Sequence, residues 1–304
     1  MTSSLSLGID LGGTKIHAVV LGPDGATLWE RRIATPRDDY AATLRALADL
    51  VRAGDAATGH RGLTVGLGGP GSLTPDGLLK NANSTWMNGQ PIERDLAAAV
   101  GRPVRFANDA NCLALSEATD GAGAGHRVVF AVILGTGNGA GIAVDGRVLT
   151  GPNGLAGEFG HVPLPWADAS DPQFGCYCGQ QGCNETVLSG TGIARDHQHV
   201  TGQHITTGEI AQRANAGDPA CMATLERHAV RLAKALAGVI NLLDPEVIVL
   251  GGGVSLMPHL YQRVPALWSR WVFSGGLKDE VRTQLKPSVH GDASGVRGAA
   301  WLWK

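Results

Sequence analysis

Three of the chain's five cysteines, Cys176, Cys178 and Cys183, stand within the eight residues CYCGQQGC. Thiolates bind borderline and soft metal ions, and His161, fifteen residues before Cys176, can add an imidazole. Three cysteines with one histidine are a recognised structural zinc set, although a C-x-C start is tighter than the commoner finger spacing. Spacing alone leaves two readings: a zinc site, or three loop thiols open to oxidation. Four protein ligands would close the zinc shell and leave no place for a reactive water, which argues against a metallohydrolase. Glu158-x-x-His161 is also not the H-E-x-x-H of such enzymes. Disulfides are not expected, because the start MTSSLSLGIDLGG has neither a basic n-region nor a long apolar core. Cys112 and Cys221 lie in helical-looking stretches and read as small buried apolar residues.

A second chemistry lies in the glycine turns. In GIDLGGTK, Gly12 and Gly13 let backbone N–H groups approach an anion, Thr14 adds a hydroxyl and Lys15 a charge. Asp10 is placed to hold a water or an ion. LGTGNGAG repeats the device with Gly135, Thr136, Gly137 and Gly139. Two such hairpins suit a polyphosphate. Gly251, Gly252 and Gly253 follow a buried strand and would let a base or ribose lie against the backbone. Neither turn is a G-x-x-x-x-G-K-[ST] loop. Gly66-Leu-Gly68-Gly-Pro70-Gly71 fits G-x-G-x-x-G, but the turn-rich LTPDGLLKNANST follows where a dinucleotide fingerprint needs a helix.

A third candidate is Asp109 in RFANDANC, at the end of a strand and before a helix. A carboxylate there can accept a proton from a reacting hydroxyl. It can equally cap the helix, the commoner role, which the spacing alone favours. On residues alone, Asn83 reads as turn chemistry and Glu185 as a surface charge.

The elements that must carry these residues alternate between strand and helix. LSLGIDLGGTKIHAVVLGPDGATLWERR and VVFAVILGTGNGAGIAVDGRVLTGP each read as strand, glycine turn, strand, Asp-Gly turn, strand. The repeat predicts two similar halves. Tyr40, Leu44, Leu47 and Val51 share one helical face. Strands are predicted at 63–67 and 104–107. A long helix carries Leu225, Ala229, Leu232, Leu236, Val239, Ile240 and Leu243 on one stripe and stops at Asp244-Pro245. EVIVL is a short buried strand, with a helix after GGGVS. The class is α/β. The 304 residues are 43% hydrophobic and carry a net charge of −2, which speaks against a nucleic-acid or polybasic membrane surface. No apolar run is long enough for a membrane span.

Taken together, DLGGTK, LGTGNGAG, Asn108-Asp109, Glu158-Phe-Gly-His161 and C-x-C-x₄-C-x-E stand in the order seen in the ROK family of sugar kinases. The resemblance covers essentially the whole chain. It looks nearest to the family's bacterial fructokinases, through KNANSTWMNGQP, NDANCLALSEA and HGDASGVRGAAWLW, with N-acetylglucosamine kinases and glucokinases as neighbours. The resemblance implies an actin-like (ribonuclease H-like) two-domain ATPase fold, with ATP and Mg²⁺ in a cleft between duplicated halves. The expected domains are 1–120 plus 292–304, with the last helix packed back on the first domain, and 121–291 with a zinc loop.

The reaction so implied is transfer of the γ-phosphoryl of ATP to the 6-hydroxyl of a hexose, D-fructose first, with mannose or glucose besides. By resemblance Asp109 is the base, and Asn83, Asn108, Glu158, His161 and Glu185 hold the sugar. His161, Cys176, Cys178 and Cys183 hold one structural Zn²⁺ that fixes the two glutamates and does no chemistry itself. Asn184 stands where an apolar residue is expected, and Ala140 where many relatives have glycine. Other family members are sugar-sensing regulators with an N-terminal DNA-binding segment, for which a first strand near Leu5 leaves no room. The expectation is a cytoplasmic enzyme whose partners are sugar and ATP, not nucleic acid or membrane; the resemblance admits a homodimer.

Overall fold

A computed structural model describes residues 5–276 and 279–304. The chain forms two compact units: Met1–Gly125 with Gly141–Ala156 and Val289–Lys304, and His126–Ala140 with Gly157–Ser288.

The first unit opens with β1 (Ser6–Leu11), β2 (Lys15–Leu21) and β3 (Thr27–Ala34). β1 is buried along most of its length, whereas β3 exposes most of its residues as the sheet edge. Helix α1 (Tyr40–Thr58) starts at Asp39, whose carboxylate accepts the Ala42 N–H, and ends at Gly59 in the left-handed region. β4 (Thr64–Gly69) then lies parallel to β1, so Gly68 sits opposite Asp10. The small hairpin of β5 (Ser72–Leu73) and β6 (Leu79–Lys80) follows, where a dinucleotide fold would place a helix. After α2 (Ile92–Val100), β7 (Val104–Asn108) pairs with β4 and runs directly into α3 (Asp109–Asp120).

The second sheet repeats the first. β8 (Val128–Leu134), β9 (Asn138–Val144) and β10 (Arg147–Val148) match β1–β3, and Asp145 and Gly146 turn the chain with φ of 51° and 72°. The short α4 (Glu185–Leu188), then α5 (Gly190–Thr201), α6 (Thr207–Asn215) and α7 (Pro219–Leu243) lead to β11 (Val247–Gly251). Asp218 caps α7 with Pro219 in its first turn, and Asp244 ends it in the left-handed region. A 3-10 turn at Gly253–Leu256 precedes α8 (Leu260–Trp268), so GGGVS does not open the helix directly. β12 (Gln284–Pro287) completes the sheet. The two strand orders, β3-β2-β1-β4-β7 and β10-β9-β8-β11-β12, are the same pattern twice. The predicted duplication of an α/β unit is therefore present.

α9 (Ser294–Trp301) packs on β1, β4 and α3 of the first unit. It lies so close that a β-carbon on Gly8 would meet the Val296 carbonyl at 2.1 Å and one on Gly66 the Ala299 carbonyl at 1.8 Å. Gly298 approaches the Cys112 carbonyl in the same way. Small residues on both surfaces thus bring the C-terminal helix against the sheet that carries Asp10. Among the described residues no helix is long and apolar enough to cross a membrane.

Candidate active site and metal centre

In the first unit the β1–β2 turn is closed by a Gly12 N–H to Lys15 carbonyl bond of 3.0 Å. Its tip is tied to the residue after β3: Thr35 donates its hydroxyl to the Gly12 carbonyl at 2.7 Å and its N–H to the Thr14 carbonyl at 3.0 Å. Thr14 and Lys15 are exposed, as an anion site requires. Asp10 precedes the turn; burial pushes its carboxyl up to about 6, the Asp109 charge adds to the rise, and Lys15 opposes it.

Asn108 and Asp109 take different places at the start of α3. The cap is Asn108: its Oδ1 accepts the Ala110 N–H at 2.9 Å, and its Nδ2 donates to the Gly71 carbonyl at 3.1 Å. Asp109 is the first helical residue, exposed, and accepts the same Ala110 N–H at 2.8 Å. A glycine again makes room, since a side chain at Gly141 would meet the Ala110 carbonyl at 2.3 Å. Asn83 is exposed in a loop whose shape is set by Asn88, which bonds both the N–H and the carbonyl of Ala82.

In the second unit the glycine turn, GGG and α4 come together. The turn is closed from Gly135 N–H to the Gly137 carbonyl at 3.0 Å. The Gly190 N–H donates to the Gly135 carbonyl at 2.7 Å, and the Thr191 hydroxyl to the Thr136 carbonyl at 2.8 Å. Gly252, at φ 81°, abuts the Leu134 carbonyl so closely that a β-carbon would sit 2.6 Å from it. Glu185 accepts the Asn138 N–H at 3.0 Å. It is half-buried and part of the turn's scaffold, not a free surface charge. Glu158 is exposed just before the 3-10 turn Phe159–His161.

His161, Cys176, Cys178 and Cys183 converge, with one ligand atom from each lying within 4.8 Å of all the others. Cys176 Sγ is 3.5 Å from His161 Nδ1, and the Cys178 and Cys183 sulfurs are 3.7 Å apart. A tetrahedral zinc with Zn–S near ~2.3 Å would place its sulfurs about 3.8 Å apart, which the Cys178–Cys183 separation matches. Burial pushes the Cys183 thiol up to about 12, while the Gln180 N–H draws Cys178 down to about 7. A cation at their centre would favour thiolate at every position.

These arrangements gain a lineage from comparison with known proteins. The profile of the ROK family matches residues 6–304. The chain belongs to the ROK family. N-acetyl-D-glucosamine kinase of Yersinia enterocolitica is 39% identical over 302 residues, covering 97% of this chain and 98% of that one. The enzyme of the same name from Shigella boydii is 41% identical over 307 residues, covering 97% and 98%. Identity at this level along nearly the whole length places the chain among the family's sugar kinases. The ROK hexokinase of Thermus thermophilus superposes with a TM-score of 0.86 at 32% identity, covering 98% of this chain and 97% of that one. A ROK glucokinase from Streptomyces griseus, solved with glucose and AMPPNP, superposes at 0.75 with 29% identity, covering 98% of each chain. The expected actin-like α/β fold is that of its ROK neighbours. The fructokinase placed first by the sequence motifs is not among these relatives; the Yersinia and Shigella enzymes bear the name of its neighbour, N-acetyl-D-glucosamine kinase.

Three features of this ROK chain escaped the sequence reading. Asn184, expected to be apolar, is buried and donates from Nδ2 to the Phe159 carbonyl at 3.0 Å, while its N–H bonds the Val162 carbonyl at 2.9 Å. It ties the Glu158–His161 turn to Cys183 and Glu185. Tyr177, between two cysteines, places its hydroxyl 2.9 Å from His161 Nε2. Arg231 and Lys234, buried on the side of α7 away from its apolar stripe, pair with Asp171 at 2.9 and 2.6 Å. Arg231 also reaches Asp196 at 2.8 Å. Asp171 lies in the stretch 162–175 between His161 and Cys176. The only advance signal was basic residues at 227, 231 and 234 on one helical face and the two aspartates of ADASD.

Proposed function

We propose that this protein is an ATP-dependent N-acetyl-D-glucosamine kinase, transferring the γ-phosphoryl of ATP to the sugar's 6-hydroxyl. The observation that carries the reading is identity of 39% to 41% with N-acetyl-D-glucosamine kinases across 97% of the chain. In this reading the 6-oxygen bonds to phosphorus as the bond to ADP breaks, and Asp109 takes the hydroxyl proton. Asn83, Asn108, Glu158, His161 and Glu185 bind the sugar's polar groups. Asp10, Gly12, Gly13, Thr14 and Lys15, with Gly135, Thr136, Gly137, Gly139 and Gly251–Gly253, receive Mg²⁺-ATP; catalysis beyond the proton transfer is positioning and charge neutralisation. His161, Cys176, Cys178 and Cys183 would hold a structural zinc, which stiffens the segment bearing both glutamates.

A site built to bond the sugar's amide should reject a hexose that lacks it, because buried polar groups are then left without partners. Coupled ADP release with N-acetylglucosamine, N-acetylmannosamine, glucose, mannose and fructose tests the assignment. The highest kcat/KM is expected for N-acetylglucosamine. A higher value for fructose or glucose would overturn the sugar assignment, and no turnover with any sugar would overturn the kinase.

A further inference from the structure

Within the first unit a cavity of about 460 Å³ is walled by the ends of β7, β10 and the C-terminal residues. Three cations line it, Arg105, Arg147 and Lys304, and no carboxylate side chain does. Among the described residues none of the three makes an ion pair. Asp120, whose charge Lys304 feels, is taken by Arg297 and His290.

Two of the three cations are held in place by aromatic rings. The Arg105 guanidinium stacks 4.1 Å from the Trp303 ring centroid and donates to the Leu302 carbonyl at 2.7 Å. The Lys304 ammonium lies 3.5 Å from the Trp301 ring centroid. Both indoles are themselves fixed through their N–H groups, Trp303 to the Val65 carbonyl at 2.7 Å and Trp301 to Asp120 at 3.2 Å. Charges so anchored lose little freedom when they meet an anion. Burial lowers the Lys304 pKa, with Arg297 contributing, and a bound anion would relieve that cost.

We propose that this cavity binds a phosphate monoester carried on a small organic body of hexose size. Two guanidinium groups and an ammonium match a phosphate dianion, to which arginine can bond in a fork. Leu115 and the indole edges give the organic part an apolar wall. The volume lies within the roughly 300–1,000 Å³ of small-molecule sites. The proposed reaction makes a molecule of this class, so the site would sense product, but the cavity argument does not depend on that reaction.

The test is titration calorimetry and tryptophan fluorescence with N-acetylglucosamine 6-phosphate, inorganic phosphate and unphosphorylated N-acetylglucosamine, on wild type, Arg147→Ala and Arg105→Ala. Both variants should retain wild-type kcat and KM, because neither residue belongs to the proposed catalytic or substrate-binding set. The sugar phosphate should bind at a site that each variant weakens by about tenfold or more, as loss of a charge-assisted bond predicts. The unphosphorylated sugar should not compete there. Binding unchanged in both variants, no binding to wild type, or binding of inorganic phosphate without the sugar phosphate would each overturn the proposal. Failure of the kinase assignment would leave this binding measurement intact.

Discussion

The Tyr177 hydroxyl lies 2.9 Å from Nε2 of His161, the ring nitrogen turned away from Cys176, and the two rings meet edge to face with centroids 5.0 Å apart. Nδ1, by contrast, faces the thiols. If Nδ1 binds zinc, Nε2 carries the proton and donates it to the tyrosine oxygen. With Nδ1 on the metal, Nε2 is the nitrogen left for the sugar; it already has a partner in Tyr177, which is largely exposed. Tyr177→Phe should lower the sugar KM by about three- to tenfold, the worth of one ordinary hydrogen bond, with kcat within about twofold. Steady-state kinetics and zinc analysis check this; an unchanged or raised KM at full zinc content removes Tyr177 from the site.

The metal prediction concerns Cys178, the most exposed of the four ligands. Wild type should carry one zinc per chain by elemental analysis. Cys178→Ser should lose zinc and sugar affinity together, because Glu158 and Glu185 flank the ligands on either side. Wild type purified without zinc, or a zinc-free variant with normal sugar KM, would end the argument that the metal organises the sugar side.

What could be read in advance was local. Alternating apolar residues and Asp-Gly turns announce strands and hairpins from their own neighbourhood, so the duplicated β1–β3 and β8–β10 pattern was legible. The cysteine set was legible because three of its four members are almost adjacent. Partners far apart in sequence were not. Glu185 read as a surface charge because its bond to Asn138 spans 47 residues. The apolar stripe of α7 announces one buried face; Arg231 and Lys234 lie on the other side of the helix, and periodicity gives no sign that they too are buried, with a partner, Asp171, 60 and 63 residues away. At the start of α3 the short Asn-Asp pair offered two capping residues, and only backbone geometry decides that Asn108 takes the cap. Sugar preference depends on pocket shape, which motifs shared across a family do not encode.

The buried pairs on α7 should matter for the metal loop. Burial alone would raise the Asp171 pKa, yet hydrogen bonds from Lys234 and Arg231 outweigh it and hold the carboxyl below its usual range. Asp171→Asn takes one carboxylate from each cation, while Arg231 keeps Asp196 and Lys234 keeps Asp168, so the cost should not exceed the about 3–5 kcal/mol of a fully broken buried pair. At roughly 2–4 °C per kcal/mol for a domain of this size, the full cost would lower the melting temperature by about 6–20 °C, with the fall expected toward the lower end. Because residues 162–175 join two ligands, zinc release to a chromogenic chelator should also quicken. Calorimetry and a chelator time course measure both effects. A variant with unaltered melting temperature and release rate would show that the network holds nothing the metal needs.

The last prediction couples Asp10 to Asp109. An acid whose folded pKa is raised favours its protonated form, so it contributes most to stability at low pH, and that contribution fades as pH rises. For Asp10 the window runs from the ordinary 3.8 to about 6, and above it the full cost of a buried charge beside Asp109 is present. Asp10→Asn should therefore be more stable than wild type at pH 8 by a larger margin than at pH 4. Asp109→Asn removes the second cause of the shift and should narrow the same pH window. It should also lower kcat by about 10²–10⁴ while sparing sugar binding, as expected for loss of a general base. Urea midpoints between pH 4 and 8, with kinetics at pH 8, examine both variants. Near-normal turnover of Asp109→Asn would strip it of the proton-accepting role; an unaltered pH dependence of stability would show that the two carboxylates do not share a field.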